Sequence, residues 1–407
     1  MPIATRLFVA AGAAAAALCA PAFAGPPDSE AFRERLAAAQ GKLTVQLVEQ
    51  LASSKKPMIV VSPASIAGAA ATLDLGASGP LRTSLHAVLG FDGSADVGDD
   101  LSALRRAIDS LGAGHSGASS PLKFANAVVF DQGVAVKADA TRSLAEAGID
   151  SSVADLRSAE SVKTVNRRVS ERTGGMIPEI IDRPPAGASL VVLSALHFKD
   201  RWKTAFDRAV TRPAAFKRLS GGPATVATMH LPPGRYLFRQ DAKFVGIELP
   251  YAQDRFSMVV VTTRGERPAP PRAFAGVGEW LTGKNFAAAQ GELALPHFDV
   301  SEGLDLTPVL DRLGLHTARV APGSLAGFSA DPMNVTRIVQ RLELRLNEEG
   351  TQAAGATAVI AERGVDPNYI RMAADKPFVF ALRDKATGLI LMAGYVGEPT
   401  SLATAAR

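Results

Sequence analysis

The sequence of 407 residues contains a single cysteine, Cys19. This cysteine lies in the first 24 residues, which are predicted below to be removed, so we expect a mature chain without disulfides, thiolate metal sites or thiol redox chemistry. Long apolar runs are also lacking, because no segment reaches the roughly 20 consecutive apolar residues that cross a bilayer. A protein embedded in a membrane is therefore not predicted.

Charge of one sign is not concentrated anywhere in the chain. The 44 basic and 40 acidic residues give a net charge of +4, and the two signs are interspersed. This pattern argues against a surface dedicated to nucleic acid. The six histidines show no H-E-x-x-H or similar spacing that would place two imidazoles on one helix face. We therefore predict neither a metal site nor a cofactor.

Sequence motifs of common enzymes are missing as well. There is no G-x-S-x-G elbow and no G-x-x-x-x-G-K-[ST] loop, and the run Gly114 to Gly117 is interpreted as a flexible linker. Because catalytic groups can lie far apart in sequence, a hydrolase is not excluded, but it has no candidate residues.

The first 24 residues have the pattern of a signal peptide. Arg6 gives a positive start, Leu7 to Ala20 is apolar, and Ala22 to Ala24 is a small-x-small cleavage site, so we expect a mature chain that begins at Gly25. The chain is then secreted or periplasmic. The alternative is a lipoprotein anchored through Cys19, but the preceding residue is a bulky leucine where a small residue is needed.

The remaining chain mixes helix and strand patterns without a βαβ rhythm. Helices are predicted at 30–51, 65–75 and 99–111; strands at 58–61, 122–130, 190–198, 244–249, 256–262 and 378–382; and loops at 112–120, 265–272 and 350–364. No internal repeat or sharp change of composition divides the mature chain. These patterns favour one α+β domain over residues 25–407.

Five segments, in the same order, resemble the serpin family of protease inhibitors, particularly secreted bacterial members. They are residues 62–91 (SPASIAGAAATLDLGASGPLRTSLHAVLGF), 164–181 (TVNRRVSERTGGMIPEII), 194–207 (SALHFKDRWKTAFD), 292–300 with 313–318 (ELALPHFDV and LGLHTA), and 347–359 with 375–399 (NEEGTQAAGATAV and DKPFVFALRDKATGLILMAGYVGEP). The resemblance implies the serpin fold: mixed β-sheets, surrounding helices and an exposed reactive-centre loop at about 350–372.

The resemblance also implies a region where strands of the central sheet separate. It includes Ser62, Ser65, Ser194, Gln340 and Trp202. Two of these positions depart from the family, which usually has Asn in place of Ser194 and His in place of Gln340. Those residues normally hydrogen-bond across the opening, so we expect a weakened latch or a smaller polar cluster. A further departure, Arg168 in place of a Trp, has no consequence that the sequence explains.

The segment after residue 347 resembles the hinge of inhibitory serpins. The hinge positions are Glu348, Gly350, Thr351, Ala353, Ala354, Gly355, Ala356 and Thr357. Without the family, this run of small residues is equally well interpreted as a flexible linker. Alternate residues from Thr351 to Val359 are small or β-branched, however, as a strand that enters a sheet requires. Loop insertion is the mechanism that the resemblance implies.

Two counts place the bond that a target protease cleaves. Counting forward from Gly350 by the commonest family spacing gives Gly364, whereas counting back from Pro377 gives Arg363. Arg363 is preferred, since a guanidinium offers a trypsin-like pocket a charged anchor. The alternative is cleavage at Val359 or Ile360 by elastase- or subtilisin-like proteases.

These residues predict a monomeric suicide inhibitor rather than an enzyme. Its expected partner is a serine protease held as a covalent acyl complex. The alternative from another class is a non-inhibitory binding protein with the same fold, whose loop is never used.

Overall fold

The computed structural model describes residues 30–52, 56–91, 94, 97–113, 121–185, 187–316, 321, 323–333, 335–348 and 368–399. Within these ranges the α-helices are α1 (Glu30–Leu51), α2 (Pro63–Asp74), α3 (Gly79–Leu89), α4 (Val97–Ala113), α5 (Ala138–Glu146), α6 (Ala159–Arg172), α7 (Gly278–Leu281) and α8 (Thr307–Leu310).

The strands of the described ranges form two sheets. They are β1 (Met58–Val61), β2 (Leu122–Asp131), β3 (Asp150–Ala154), β4 (Leu190–Phe198), β5 (Arg212–Phe216), β6 (Ala224–Gln240), β7 (Phe244–Pro250), β8 (Phe256–Thr263), β9 (Ala287–Pro296), β10 (Phe298–Asp305), β11 (Val335–Leu346), β12 (Ile370–Ala373), β13 (Phe378–Asp384) and β14 (Ile390–Val396).

The smaller sheet has five strands in the order β10-β11-β4-β2-β3. Its central pair, β4 and β11, runs parallel, although the two strands lie far apart in sequence, and each has an antiparallel neighbour on its other side. We call the boundary between β4 and β11 the seam. The larger sheet has nine strands, with the order β1-β14-β13-β8-β7-β6-β9-β12 and with β5 added on β6.

The main hydrophobic core lies between the two sheets, and α2 runs through it. Every residue of α2 is buried, and its alanines and Gly68 keep it thin enough to contact both β4 and β14. Ser62 caps this helix by accepting a hydrogen bond from the backbone N–H of Ser65 at 3.0 Å, which satisfies one of the free amides of the first turn.

The outer face of the five-stranded sheet is covered in part by α6. Val162, Val165 and Val169 of this helix pack against Val191 and Leu193 of β4. The helix therefore lies on the opposite side of the sheet from α2.

The elements predicted from apolar runs are close to those observed. The helix at 30–51 and the strands at 58–61 and 190–198 have the predicted bounds, whereas α2 begins at Pro63, two residues early. The loop predicted at 112–120 begins later, because Gly112 and Ala113 still belong to α4. The resemblance assigned one strand to 292–300, but the chain leaves β9 at Pro296 and begins β10 at Phe298 in the other sheet.

The end of the predicted reactive-centre loop also differs. Residues 370–372 were included in the loop, but they lie in β12, which pairs parallel with β9 from Ile370 to Ala373. Ile370 and Met372 are buried there. The larger sheet thus holds this end of the loop through main-chain hydrogen bonds and two apolar side chains.

Candidate functional site

Gln340 and Ser194 occupy the middle of the seam. The register of β11 and β4 places them directly opposite each other, and both face the core side, where α2 lies. Gln340 is 0% exposed and Ser194 is 2% exposed. Two polar side chains at the predicted opening are therefore sealed from solvent in the closed sheet.

Ser62 and Ser65 lie at the start of α2, the helix that contacts β4, and both are fully buried. A third polar residue approaches from β2: Asn126 pairs with Ser194 in the register. Asn126 also lies so close to α2 that a Cβ at Gly68 would meet its Nδ2 at 2.5 Å. We call Ser62, Ser65, Asn126, Ser194 and Gln340 the seam cluster.

Several polar atoms of the seam cluster have no hydrogen-bond partner among the described residues. They are Ser65 Oγ, Asn126 Oδ1, Ser194 Oγ, and both Nε2 and Oε1 of Gln340. Ser194 and Gln340 therefore do not form the side-chain hydrogen bond that the family's Asn and His normally make. Each buried polar group without a partner costs about 1–3 kcal/mol.

Trp202 lies apart from the seam cluster, although the sequence grouped it with the other four residues. Its indole Nε1 donates to the backbone oxygen of Asn347 at 2.9 Å, and its ring stacks on Tyr251 with centroids 4.3 Å apart. Asn347 is seven residues beyond Gln340, which is about 23 Å along a strand. Trp202 therefore supports the end of β11, where the loop begins.

The end of β11 is held by a second backbone contact. The N–H of Phe206 donates to the backbone oxygen of Glu348 at 2.9 Å. Residues 202–206, which follow β4, thus bind the last two described residues before the predicted loop. We call residues 202–206 the clamp.

Glu348 is the one predicted hinge residue within the described chain. It is buried, and its Oε1 lies 3.0 Å from Nε2 of His297, at the junction of β9 and β10. Burial alone raises the pKa of Glu348, but the Thr211 side chain, a backbone N–H and His297 outweigh it, so the pKa lies below its ordinary value. Glu348 is consequently a carboxylate at neutral pH.

On its outer face the seam carries positive charge near His197 of β4. In the register His197 lies between Lys123 of β2 and Glu343 of β11. Burial lowers the pKa of His197 to about 4, and Lys199, Arg345 and Lys123 lower it as well. His197 is therefore neutral in the closed sheet at pH 7.

The other predicted site residues lie outside the described residues. They are the hinge residues Gly350, Thr351, Ala353, Ala354, Gly355, Ala356 and Thr357, and the reactive bond Arg363–Gly364. Arg168 is described, and it lines a narrow gap between α6 and the sheet together with Arg172 and Asp150. The structure gives no reason for an arginine at this position.

Asn126 and His297 are the site residues that the sequence analysis missed. His297 stands within the family-like run 292–300, but its contact with Glu348 joins residues of different strands. Among the described residues no group of three or more His, Cys, Asp or Glu is arranged to hold a metal ion. Nor does any described helix combine the length and the apolar character needed to span a membrane.

Two sheets around a buried helix, with a parallel central pair followed by a long connection, are the architecture of a serpin. The chain belongs to this family: residues 38–399 match the family model described as Serpin (serine protease inhibitor).

Among curated relatives, the leukocyte elastase inhibitor of Bos taurus is 29% identical over 385 residues, which cover 90% of this chain and all of the relative. Neuroserpin of Homo sapiens is 26% identical and covers 89% of this chain and 91% of its own length. The solved structure of Arabidopsis AtSerpin1 in its native stressed conformation superposes with a TM-score of 0.78 at 24% identity, covering 90% of this chain and 98% of that one. This likeness shows the fold.

Proposed function

We propose that the chain is a suicide inhibitor of serine proteases that traps its target by inserting the cleaved loop into the seam. The observation that carries this proposal is the parallel pairing of β4 and β11. A chain that turns back directly after β11 runs antiparallel to β11, and hence antiparallel to β4 as well. It can therefore pair with both strands if the seam widens by one strand spacing, about 4.8 Å.

The hinge composition supports the same proposal. From residue 350 to residue 358, where insertion would begin, the chain has only Gly, Ala and Thr apart from Gln352. Alternate side chains of an inserted strand face the core, where α2 leaves little room, and small residues fit there without displacing it. Large or charged residues would stop insertion.

The trapping reaction begins as ordinary proteolysis. The hydroxyl oxygen of the protease serine attacks the carbonyl carbon of Arg363, an ester forms, and the bond to the nitrogen of Gly364 breaks as that nitrogen takes up a proton. Water would normally hydrolyse the ester. In our proposal the cut loop enters the seam first and carries the acylated protease with it, so hydrolysis is prevented.

The free energy of insertion is sufficient for this purpose. About ten new strand residues at about 1 kcal/mol of net hydrogen bonding each, with added apolar burial, give on the order of 10 kcal/mol. Domains are stable by about 5–15 kcal/mol. Insertion can therefore distort the active site of a trapped protease.

We propose a trypsin-like target, because Arg363 offers a trypsin-like pocket a charged anchor. A second candidate is an elastase-like protease cleaving at Val359 or Ile360. That candidate is favoured by the relatives named leukocyte elastase inhibitor, which are up to 29% identical to this chain.

The experiment is to incubate the full chain with trypsin, and separately with an elastase, and to look for an adduct that survives SDS. Thr351→Arg is the informative variant, since a charge entering the seam beside α2 lacks a partner and slows insertion. We expect the wild type to form the adduct and Thr351→Arg to be cleaved as a substrate. Equal adduct yields would contradict insertion, and cleavage of the wild type without any adduct would favour the non-inhibitory alternative.

We also propose that the source is bacterial and that the mature inhibitor is exported as a monomer, secreted or periplasmic. The pattern of the first 24 residues supports export, and those residues lie outside the described chain. N-terminal sequencing of the exported protein should begin at Gly25. A start at Met1 would contradict this proposal.

A further inference from the structure

A cavity of about 310 Å³ lies beside the clamp, between residues 202–204 and strands β6 and β7. Trp202, Leu231 and Leu249 line its buried part, and Tyr236 and Ala288 stand nearer the opening. We call it the Trp202 cavity. Its volume is in the range that accepts a small organic molecule, and its inner surface suits an apolar or aromatic body.

The charges around the Trp202 cavity are unequal. Glu248 lies in its wall, but this carboxylate is already neutralised, because Arg383 Nη1 is 3.2 Å from Glu248 Oε1 and Ser257 Oγ donates to the same oxygen at 2.7 Å. Glu248 therefore neither attracts nor repels a ligand strongly.

At the rim, three cations face one acidic residue. Lys203 and Lys385 both contact Asp254, and Arg235 is the third cation of the lining. The hydrogen bond from Lys203 lowers the pKa of Asp254 most, so Asp254 is ionised at neutral pH. Three positive charges against one negative charge leave an excess of two, which favours an anionic group at the opening.

We propose that the Trp202 cavity binds a small amphipathic anion. The apolar or aromatic body of such a molecule packs against Trp202, Leu231 and Leu249. Its carboxylate or sulfonate lies at the rim near Lys203 and Lys385. One anionic group and one apolar body match the two parts of the cavity.

The position of the cavity couples this binding to the loop. Trp202 is a wall of the cavity, and the N–H of the same indole donates to the backbone oxygen of Asn347. The clamp also binds Glu348 through the backbone N–H of Phe206. A bound molecule that packs on Trp202, Lys203 and Thr204 fixes the clamp in its present place, and so holds the start of the loop. The consequence for inhibition, a lower adduct yield, rests on the function proposed above.

The binding test uses anilinonaphthalene sulfonate, which has an aromatic body and one sulfonate, in a fluorescence titration of the full chain. The key variant is Ala288→Phe, which fills the opening, and its matched control is Ala287→Phe. Ala287 is the exposed neighbour on β9 and does not line the cavity. We expect saturable binding that Ala288→Phe weakens at least tenfold and that Ala287→Phe leaves unchanged. No saturable binding, or equal binding by both variants, would overturn the site.

The same titration tests whether the sulfonate of the probe binds at the cationic rim. Lys203→Gln with Lys385→Gln should weaken binding several-fold, and added salt should reduce the difference between wild type and this double variant. A double variant that binds as tightly as wild type would overturn the placement of the sulfonate at the rim.

The coupling between binding in the Trp202 cavity and the start of the loop is measured without any protease, by hydrogen exchange of a peptide that contains Phe206. We expect the probe to slow exchange of this amide in the wild type and not in Ala288→Phe. Unchanged exchange despite saturable binding would overturn the coupling. A wild type that forms no adduct even without probe would instead contradict the proposed function, while the binding and exchange results would stand.

Discussion

Gln340 and Ser194 lie opposite each other across the parallel pair β11 and β4, and neither side chain finds a hydrogen-bond partner among the described residues. The closed sheet therefore buries polar atoms at the seam where the loop is proposed to enter. Such atoms destabilise the closed form, since burial without a partner costs about 1–3 kcal/mol for each group. Because these atoms destabilise the closed form, they favour separation of β4 from β11 at the seam.

The first prediction is that Gln340→Met stabilises the intact protein. Methionine has a similar length and fills the same space, but it removes two buried polar atoms that lack partners. We expect the free energy of unfolding of the uncleaved protein to rise by about 1 kcal/mol or more. Denaturant unfolding measures this change.

Gln240→Met is the matched control, because Gln240 is exposed at the end of β6. It should leave the unfolding free energy within about 0.5 kcal/mol of wild type. If Gln340→Met destabilises the protein instead, the amide of Gln340 has hydrogen-bond partners in solution, and it does not destabilise the closed seam.

The second prediction concerns pH and His197. In the unfolded chain a histidine binds its proton below about pH 6.5, whereas burial and three nearby cations keep folded His197 neutral down to about pH 4. Between these values the unfolded state binds more protons, so stability is lost as the pH falls from about 6.5 to 4. His197→Gln should flatten this part of the profile of melting temperature against pH.

The comparison for His197→Gln is His316→Gln, which removes an exposed histidine. The melting temperature should be measured for both variants at several pH values between 7 and 4. A steep acid slope that persists in His197→Gln, with the same steepness as in His316→Gln, would show that other groups cause the loss.

Much of the fold follows from the sequence where local pattern decides structure. The run Leu190–Phe198 is apolar on both faces because the main core lies on one side and α6 on the other, so its strand was predicted with its observed bounds. In contrast, β6 spans Ala224–Gln240 and includes Pro232 and Pro233. Prolines usually end strands. Here the register shifts between Leu231 and Gly234, so an irregularity accommodates the two prolines within the strand.

The site was predictable only in part. The family resemblance supplied Ser62, Ser65, Ser194 and Gln340; all four are buried, and Ser194 and Gln340 lie opposite each other across the seam. Asn126 and the contact of His297 with Glu348 depend on which strands are neighbours, and that order joins residues far apart in the chain. Trp202 was grouped with the seam because sequence order alone does not show how far along β11 a contact falls.

The third prediction places the bait residue. If Arg363 occupies the specificity pocket, trypsin-like proteases cut the bond to Gly364, and the peptide released from the denatured adduct begins at Gly364. Arg363→Ala should abolish adduct formation with trypsin, because the charged anchor is lost while the hinge is unchanged. Mass spectrometry of the peptide and an SDS gel provide the two measurements.

An elastase remains a useful comparison for Arg363→Ala. Continued adduct formation with elastase would show that the variant is folded and able to insert its loop. A peptide that begins at Val365 or upstream of Glu362, or undiminished inhibition of trypsin by Arg363→Ala, would show that another residue is the bait.

The insertion of the loop between β4 and β11 is tested most directly by melting the intact protein beside protein cleaved only in the segment 350–364. If the cut segment enters the seam, it adds a strand that pairs with both β4 and β11. It also changes the surroundings of the buried polar atoms of Gln340 and Ser194. We expect the cleaved form to melt at a clearly higher temperature than the intact form. Equal melting temperatures, or a lower one for the cleaved form, would contradict it.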